Sequence, residues 1–195
     1  MRNAFVLILA FVFLPYTVSA EGLSYHLPDT VKGRFFIKKS FDLSVGLTIP
    51  AEDYYGDKKN GISLTAEYSV YPAKFDQRLS FTLEGSYYDV RYKYLDFEHQ
   101  RTVSSVSVNC DYHLFRQQVI SPSIGVGIGV LVSTGGAFWH NGCGSLFTPK
   151  VGLTIAERYQ LSIKFRKVVC NFPGSNIIRG CNTFVFSVGY SFSFK

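Results

Sequence analysis

Residues 184–194 alternate strictly. Phe184, Phe186, Val188, Tyr190, Phe192 and Phe194 share one parity, while Val185, Ser187, Gly189, Ser191 and Ser193 share the other. Successive side chains of a strand point to opposite faces, so one face is an aromatic and aliphatic strip and the other is nearly all small or polar. A soluble sheet would bury the apolar strip against a core. A strand of a closed membrane barrel turns it to lipid and lines the interior with the small polar set. The rest of the chain decides between these two folds.

The pattern recurs. Residues 41–49 place Phe41, Leu43, Val45, Leu47 and Ile49 on one face, and residues 62–70 oppose Ile62, Leu64, Ala66, Tyr68 and Val70 to Ser63, Thr65, Glu67 and Ser69. In 79–87 the polar face carries Ser80, Thr82, Glu84 and Ser86; in 106–114 it carries Ser107, Asn109, Asp111 and His113. Gly125, Gly127 and Gly129 fill that face in 124–130, Lys150, Gly152 and Thr154 in 147–155, and Ser162, Lys164 and Arg166 in 161–169. With the C-terminal segment this predicts eight strands, most of about the nine to eleven residues that a tilted strand needs to cross hydrocarbon. An even count is what single-chain bacterial barrels use, and closure leaves no unpaired edge in lipid. The fold class is therefore all-β, a single eight-stranded antiparallel transmembrane barrel of up-and-down topology.

The connections are sorted by length. Residues 71–78, 115–119 and 156–160 are short, whereas 50–61, 88–104, 131–146 and 170–183 are long. Starting the first strand on the periplasmic side puts every short turn there and every long loop outside, the asymmetry of outer-membrane barrels. A soluble lipocalin-like barrel does not sort its loops this way. Its usual early Gly-x-Trp is also missing, since the single tryptophan, Trp139, lies in a late loop.

Residues 1–20 have a basic start at Arg2, an apolar run from Ala4 to Leu14 and Val18-Ser19-Ala20 before Glu21. This is the pattern of a cleaved secretory signal peptide and is too short for a spanning helix. The expected division is a signal peptide at 1–20 and a barrel domain at 21–195. The formal net charge is +6, but the basic residues are scattered among loops and one strand face. No basic run with interleaved aromatics points to nucleic acid.

Glu67, Glu84, Asp111, Lys150, Lys164 and Arg166 all fall on the predicted interior. Eight strands enclose a space that side chains fill, so a network of ion pairs and trapped water is expected there. The functional alternative is a proton or ion path along the same charges. A lipid A deacylase or acyltransferase is the competing class. It needs a serine activated by a histidine that a carboxylate orients. Enzymes of that class carry these groups on the lipid-facing outside, where this chain offers apolar residues. Ser, His and Glu are not expected to converge: His26 precedes the strands, His99 and His140 lie in loops, and His113 lies near a periplasmic turn. No His/Cys cluster has metal-ligand spacing, and no cofactor is implied.

An exported chain meets an oxidising compartment. Cys170 and Cys181 bracket the last outer loop, so a bridge between them is expected at the tops of adjacent strands. Cys143, in the neighbouring loop, could pair with either, and Cys110 is expected to remain a thiol on the lipid face. Sequence alone leaves the connectivity open. Tyr54, Tyr55, Tyr92, Tyr94, Trp139 and His140 populate the outer loops and are the candidates for surface interactions.

The aromatic end of the C-terminal strand resembles the signal by which bacterial outer-membrane barrels are recognised for insertion. Within that class, residues 91–129 resemble the TraO proteins of Bacteroidetes conjugative transposons. The likeness rests on Arg91-Tyr92-x-Tyr94-x-Asp96, a polar-alternating strand ending near Tyr112, a short polar turn, and Ser123-Ile124-Gly125. Phe184, Gly189 and Phe192 resemble that family's end. The resemblance implies a component of a transfer apparatus at the cell surface and carries over no catalytic residues. The expected function is a non-enzymatic outer-membrane barrel whose loops form an interaction surface. Its expected partners are outer-membrane lipid, lipopolysaccharide and a cell-surface or transfer-apparatus protein.

Overall fold

The computed structural model describes residues 36–51, 57–72, 78–94, 97–115, 119–135, 142–172 and 181–194, with backbone alone for 36, 37, 92, 94 and 97–99. The expected signal peptide at 1–20 lies outside the described residues, as do Tyr54, Tyr55, Trp139 and His140. The strands are β1 (Phe36–Pro50), β2 (Asp57–Lys59), β3 (Gly61–Pro72), β4 (Leu79–Tyr94), β5 (Phe97–His113), β6 (Ile120–Gly135), β7 (Gly142–Ile155), β8 (Tyr159–Asn171) and β9 (Thr183–Phe194). All nine belong to one sheet. Apart from the three-residue β2, they form a closed antiparallel wall in which each strand pairs with its neighbours in sequence.

Closure comes from the two ends of the wall. β9 pairs with β1 from Lys39↔Phe194 to Pro50↔Thr183, so the aromatic C-terminal segment is the last stave. Closure gives both end strands a partner across the seam and leaves no free edge, as a structure in hydrocarbon requires. The faces follow parity. Val108 and Ile128 are 55% and 70% exposed on the outside, whereas Lys164 and Arg166 are 1% and 0% exposed within. An apolar exterior around a charged interior is inverted for water and right for lipid.

The strands are longer than the alternation predicts, above all on the long-loop side. The expected loop 88–104 is a continuation of the β4–β5 hairpin, paired without a break to Tyr94↔Phe97. Its first rungs beyond the expected strand carry Tyr88, Val90 and Val103 on the lumen side. There apolar residues replace the small polar set, so the two-face contrast vanishes from the sequence while the strand goes on. Leu131 and Leu146 do the same at the tops of β6 and β7. The expected loop 50–61 also contains β2, which pairs with β4 from Asp57↔Lys93 to Lys59↔Arg91.

Space inside is set by small residues. A Cβ on Gly127 would lie 1.7 Å from Asn109 Oδ1, and one on Gly125 would lie 1.9 Å from Asp111 Oδ1. These two glycines are the gaps into which β5 lays its polar side chains. At the short-turn end the β7–β8 turn holds Ala156 and Glu157 at φ of 51° and 58°, a left-handed pair that suits Asn and Gly in a tight hairpin.

Gly127→Ala is expected to push Asn109 from its place and lower stability by about 1–3 kcal/mol, read as a reduced urea midpoint of the detergent-folded protein. Ala156→Asn is expected to raise the same midpoint, by about 1 kcal/mol of relieved left-handed strain.

Candidate functional site

The lumen gathers the charges that parity sends inward. Lys164, from β8, bridges two carboxylates: its Nζ donates to Glu67 Oε1 on β3 and to Glu84 Oε2 on β4, the latter at 2.9 Å. Arg166 Nη2 donates to Glu84 Oε1 at 2.7 Å. Lys150, from β7, reaches Glu67 Oε2 at 3.3 Å and Asp111 Oδ2 on β5 at 2.9 Å. Asn109 Nδ2 donates to Glu84 Oε2 at 3.1 Å, and Thr82 Oγ1 to Asp111 Oδ2 at 3.3 Å. The structure thus brings all six expected interior residues into one lattice, three cations against three anions. Mutual pairing offsets the desolvation that isolated charges would suffer here.

Either side of this lattice the lumen differs. Toward the long loops, Tyr88, Val90, Val103, Leu131, Leu146 and Cys181 pack into one buried apolar cluster, with Val168 against it. The Arg166 guanidinium lies 4.5 Å above the Tyr88 ring centroid, joining cluster and lattice by a cation–π contact. Toward the short turns the lumen holds a cavity of about 30 Å³ lined by Asp42, Glu67, Ser80, Asp111, His113 and Lys150 among others. A smaller space of about 20 Å³ continues past Tyr71, His113 and Gln160 to Lys38 and Glu157, which are ion-paired. Each space has room for water.

Two features here lay outside the expectations. Asp42 is a buried lumen carboxylate on β1, and extending the parity rule to the polar face of 41–49 would have found it. The second is a serine–histidine contact: Ser80 Oγ lies 3.1 Å from His113 Nε2. The expectation concerned serine, histidine and a carboxylate together, and this contact joins the first two. The pair lines a cavity far smaller than the roughly 300–1,000 Å³ of small-molecule sites, so it binds strand to strand rather than an acyl chain. Among the described residues no three His, Cys, Asp or Glu side chains are placed to hold a metal ion.

The expected Cys170–Cys181 bridge is not formed, and all the cysteines are thiols. The reason is a register shift in the β7–β8 ladder between Ser145↔Cys170 and Leu146↔Val168. It turns Cys170 outward, where its Sγ lies 3.0 Å from Ser145 Oγ. Cys181 points into the apolar cluster, with its Sγ 3.8 Å from Ser133 Oγ. The two sulfurs face opposite sides of the wall. Cys110 stands on the outer face of β5. Of the surface candidates, Tyr92 and Tyr94 lie at register positions opposite His99 and Phe97 near the tip of the β4–β5 hairpin.

Arg166→Met is expected to cost about 3–5 kcal/mol by leaving Glu84 underpaired, and Glu84→Gln added to it should restore part of the loss. Denaturant midpoints of the single and double variants check this. Cys170 should react with a polar maleimide in the folded barrel, and Cys181 only after unfolding, as peptide mapping will show.

No family model matches the chain, and no curated protein matches it by sequence. Solved structures do resemble it. Neisserial surface protein A matches with a TM-score of 0.56 at 13% identity, over 80% of this chain and 96% of that one. The outer membrane protein OprG from Pseudomonas aeruginosa matches with a TM-score of 0.54 at 11% identity, over 82% and 97%. At such identities the likeness is one of fold, and neither match supports the resemblance to TraO proteins. The fold of this chain is that of the small bacterial outer-membrane barrels, a closed eight-stranded antiparallel wall in up-and-down order.

Proposed function

We propose that this protein is a non-enzymatic barrel of the bacterial outer membrane that works as a surface interaction module. It is exported through the signal peptide at 1–20 and sits among outer-membrane lipid and lipopolysaccharide. The observation that carries this reading is the filled lumen. A lattice of paired charges capped by the cluster of Tyr88, Val90, Val103, Leu131 and Leu146 leaves no wide channel for a solute. What the barrel offers instead is its outer end.

The β4–β5 hairpin stands out there. β3 pairs with β4 only as far as Ser63↔Tyr88, and β6 with β5 only as far as Arg101↔Gly135. The rungs from Arg91↔Gln100 to Tyr94↔Phe97 rise beyond both neighbours, with β2 alone alongside. Asp89 anchors the base: its Oδ2 accepts from Arg91 Nε at 2.6 Å and from Gln100 Nε2 at 3.1 Å. Its Oδ1 accepts from the Ile62 amide, and its carbonyl accepts from Thr48 Oγ1 at 2.6 Å. A three-stranded blade anchored in this way has a base with little conformational freedom to lose on binding. The resemblance to TraO proteins covers part of this blade and suggests a transfer-apparatus protein as its partner.

Two measurements test this. The folded protein in planar bilayers should give no steady single-channel current, and sustained openings would refute the filled lumen. Replacing the residues between Arg91 and Gln100 by Asn-Gly should leave a heat-modifiable barrel. It should also reduce binding to immobilised lipopolysaccharide or transfer between cells carrying the gene. Unchanged values of both would remove the blade from the function.

A further inference from the structure

Between the apolar cluster and the short turns the described lumen charges do not balance; the further buried cation, Arg101, lies at the other end, against Cys181. Glu67, Glu84 and Asp111 are matched by Lys150, Lys164 and Arg166, and at the mouth Lys38 is matched by Glu157. Asp42 is one carboxylate more. It is 2% exposed, the groups within hydrogen-bonding reach of its carboxyl are the neutral side chains of Ser40 (3.3 Å to Oδ2), Ser191 and Gln160, and its Oδ1 is not satisfied by them. Its cross-strand neighbour on β3 is Glu67 and on β9 is Ser191, so neither brings it a cation.

Asp42 lines the cavity of about 30 Å³, together with Glu67 of β3, Asp111 and His113 of β5, Lys150 of β7 and Gln160 of β8. Lys150 is already committed to Glu67 and Asp111, Lys164 to Glu67 and Glu84, and His113 Nε2 to Ser80. Asp111 Oδ1 is a second buried carboxylate oxygen with no partner. Water in the cavity can hydrate these oxygens, but it cannot cancel a charge. An unneutralised carboxylate at this depth is far more costly than a buried neutral group.

We propose that this cavity holds one exchangeable unit of positive charge at Asp42, either a proton on its carboxyl group or a small alkali cation against Oδ1. The excess is a single negative charge, which suits a monovalent ion, and the donor set lacks the convergence that a divalent ion needs. Entry is from the short-turn end, through the space lined by Tyr71, His113 and Gln160, because the apolar cluster closes the other end. The barrel is thereby a sensor of periplasmic cations in its own stability.

The test uses the detergent-folded full chain at neutral pH, in sodium chloride and in choline chloride of equal ionic strength. Infrared spectra in heavy water report the carbonyl band of a protonated carboxyl group, and thermal unfolding reports the ion. A protonated-carboxyl band that disappears in Asp42→Asn identifies the proton. A sodium-dependent rise in unfolding temperature that disappears in Asp42→Asn identifies the alkali ion. The exposed Asp57→Asn should change neither. Wild-type protein with no such band and equal unfolding temperatures in the two salts would overturn the proposal whether or not the variant folds. So would a band or an ion effect that survives Asp42→Asn.

Discussion

Everything in this molecule follows from the seam between β1 and β9. In hydrocarbon an unpaired strand edge leaves a row of amides and carbonyls with nothing to bond, so the wall closes or does not exist. Closing it forces the two faces apart. Alternation then sends one parity of each regular strand stretch to lipid and the other to the lumen, and a slip of one residue exchanges them, as it does for Cys170. Twelve consecutive rungs between Lys39↔Phe194 and Pro50↔Thr183 fix that register where the chain's ends meet.

Once the faces are fixed, the lumen must be filled by what alternation delivers. β8 sends in Lys164 and Arg166, β3 and β4 send in Glu67 and Glu84, and β5 and β7 add Asp111 and Lys150. The glycines of β6 make the arrangement possible, because the room for Asn109 and Asp111 is the missing Cβ of Gly127 and Gly125. Composition that reads as a weak, glycine-rich strand is the mould for the polar side chains of its neighbour.

Parity made the lower two-thirds of the wall legible, from Phe41 and Leu43 outside to Glu84 and Arg166 inside. It failed where both faces are apolar. Tyr88, Val90 and Leu131 occupy lumen positions, yet they read as a break in the pattern, and the strands seemed to stop one or two turns of pleat too early. The cysteines failed for a different reason. Sequence distance placed Cys170 and Cys181 at adjacent strand tops, but the register shift beside Val168 reversed the face of one of them, and no composition signal marks such a shift. The Ser80–His113 contact was hidden because it joins two strands through a register that sequence does not state.

The ionic lattice has a kinetic corollary. Its members come from five strands, and no hairpin contains a complete set. A partly assembled sheet lying in the bilayer would turn Lys164 and Arg166 toward lipid, where a basic side chain near the midplane costs about 2–4 kcal/mol each. Insertion ahead of closure is therefore uphill. The strands cross together, with the charges meeting as the wall curls, and the route into the membrane is cooperative because its interior can be neutral only when whole.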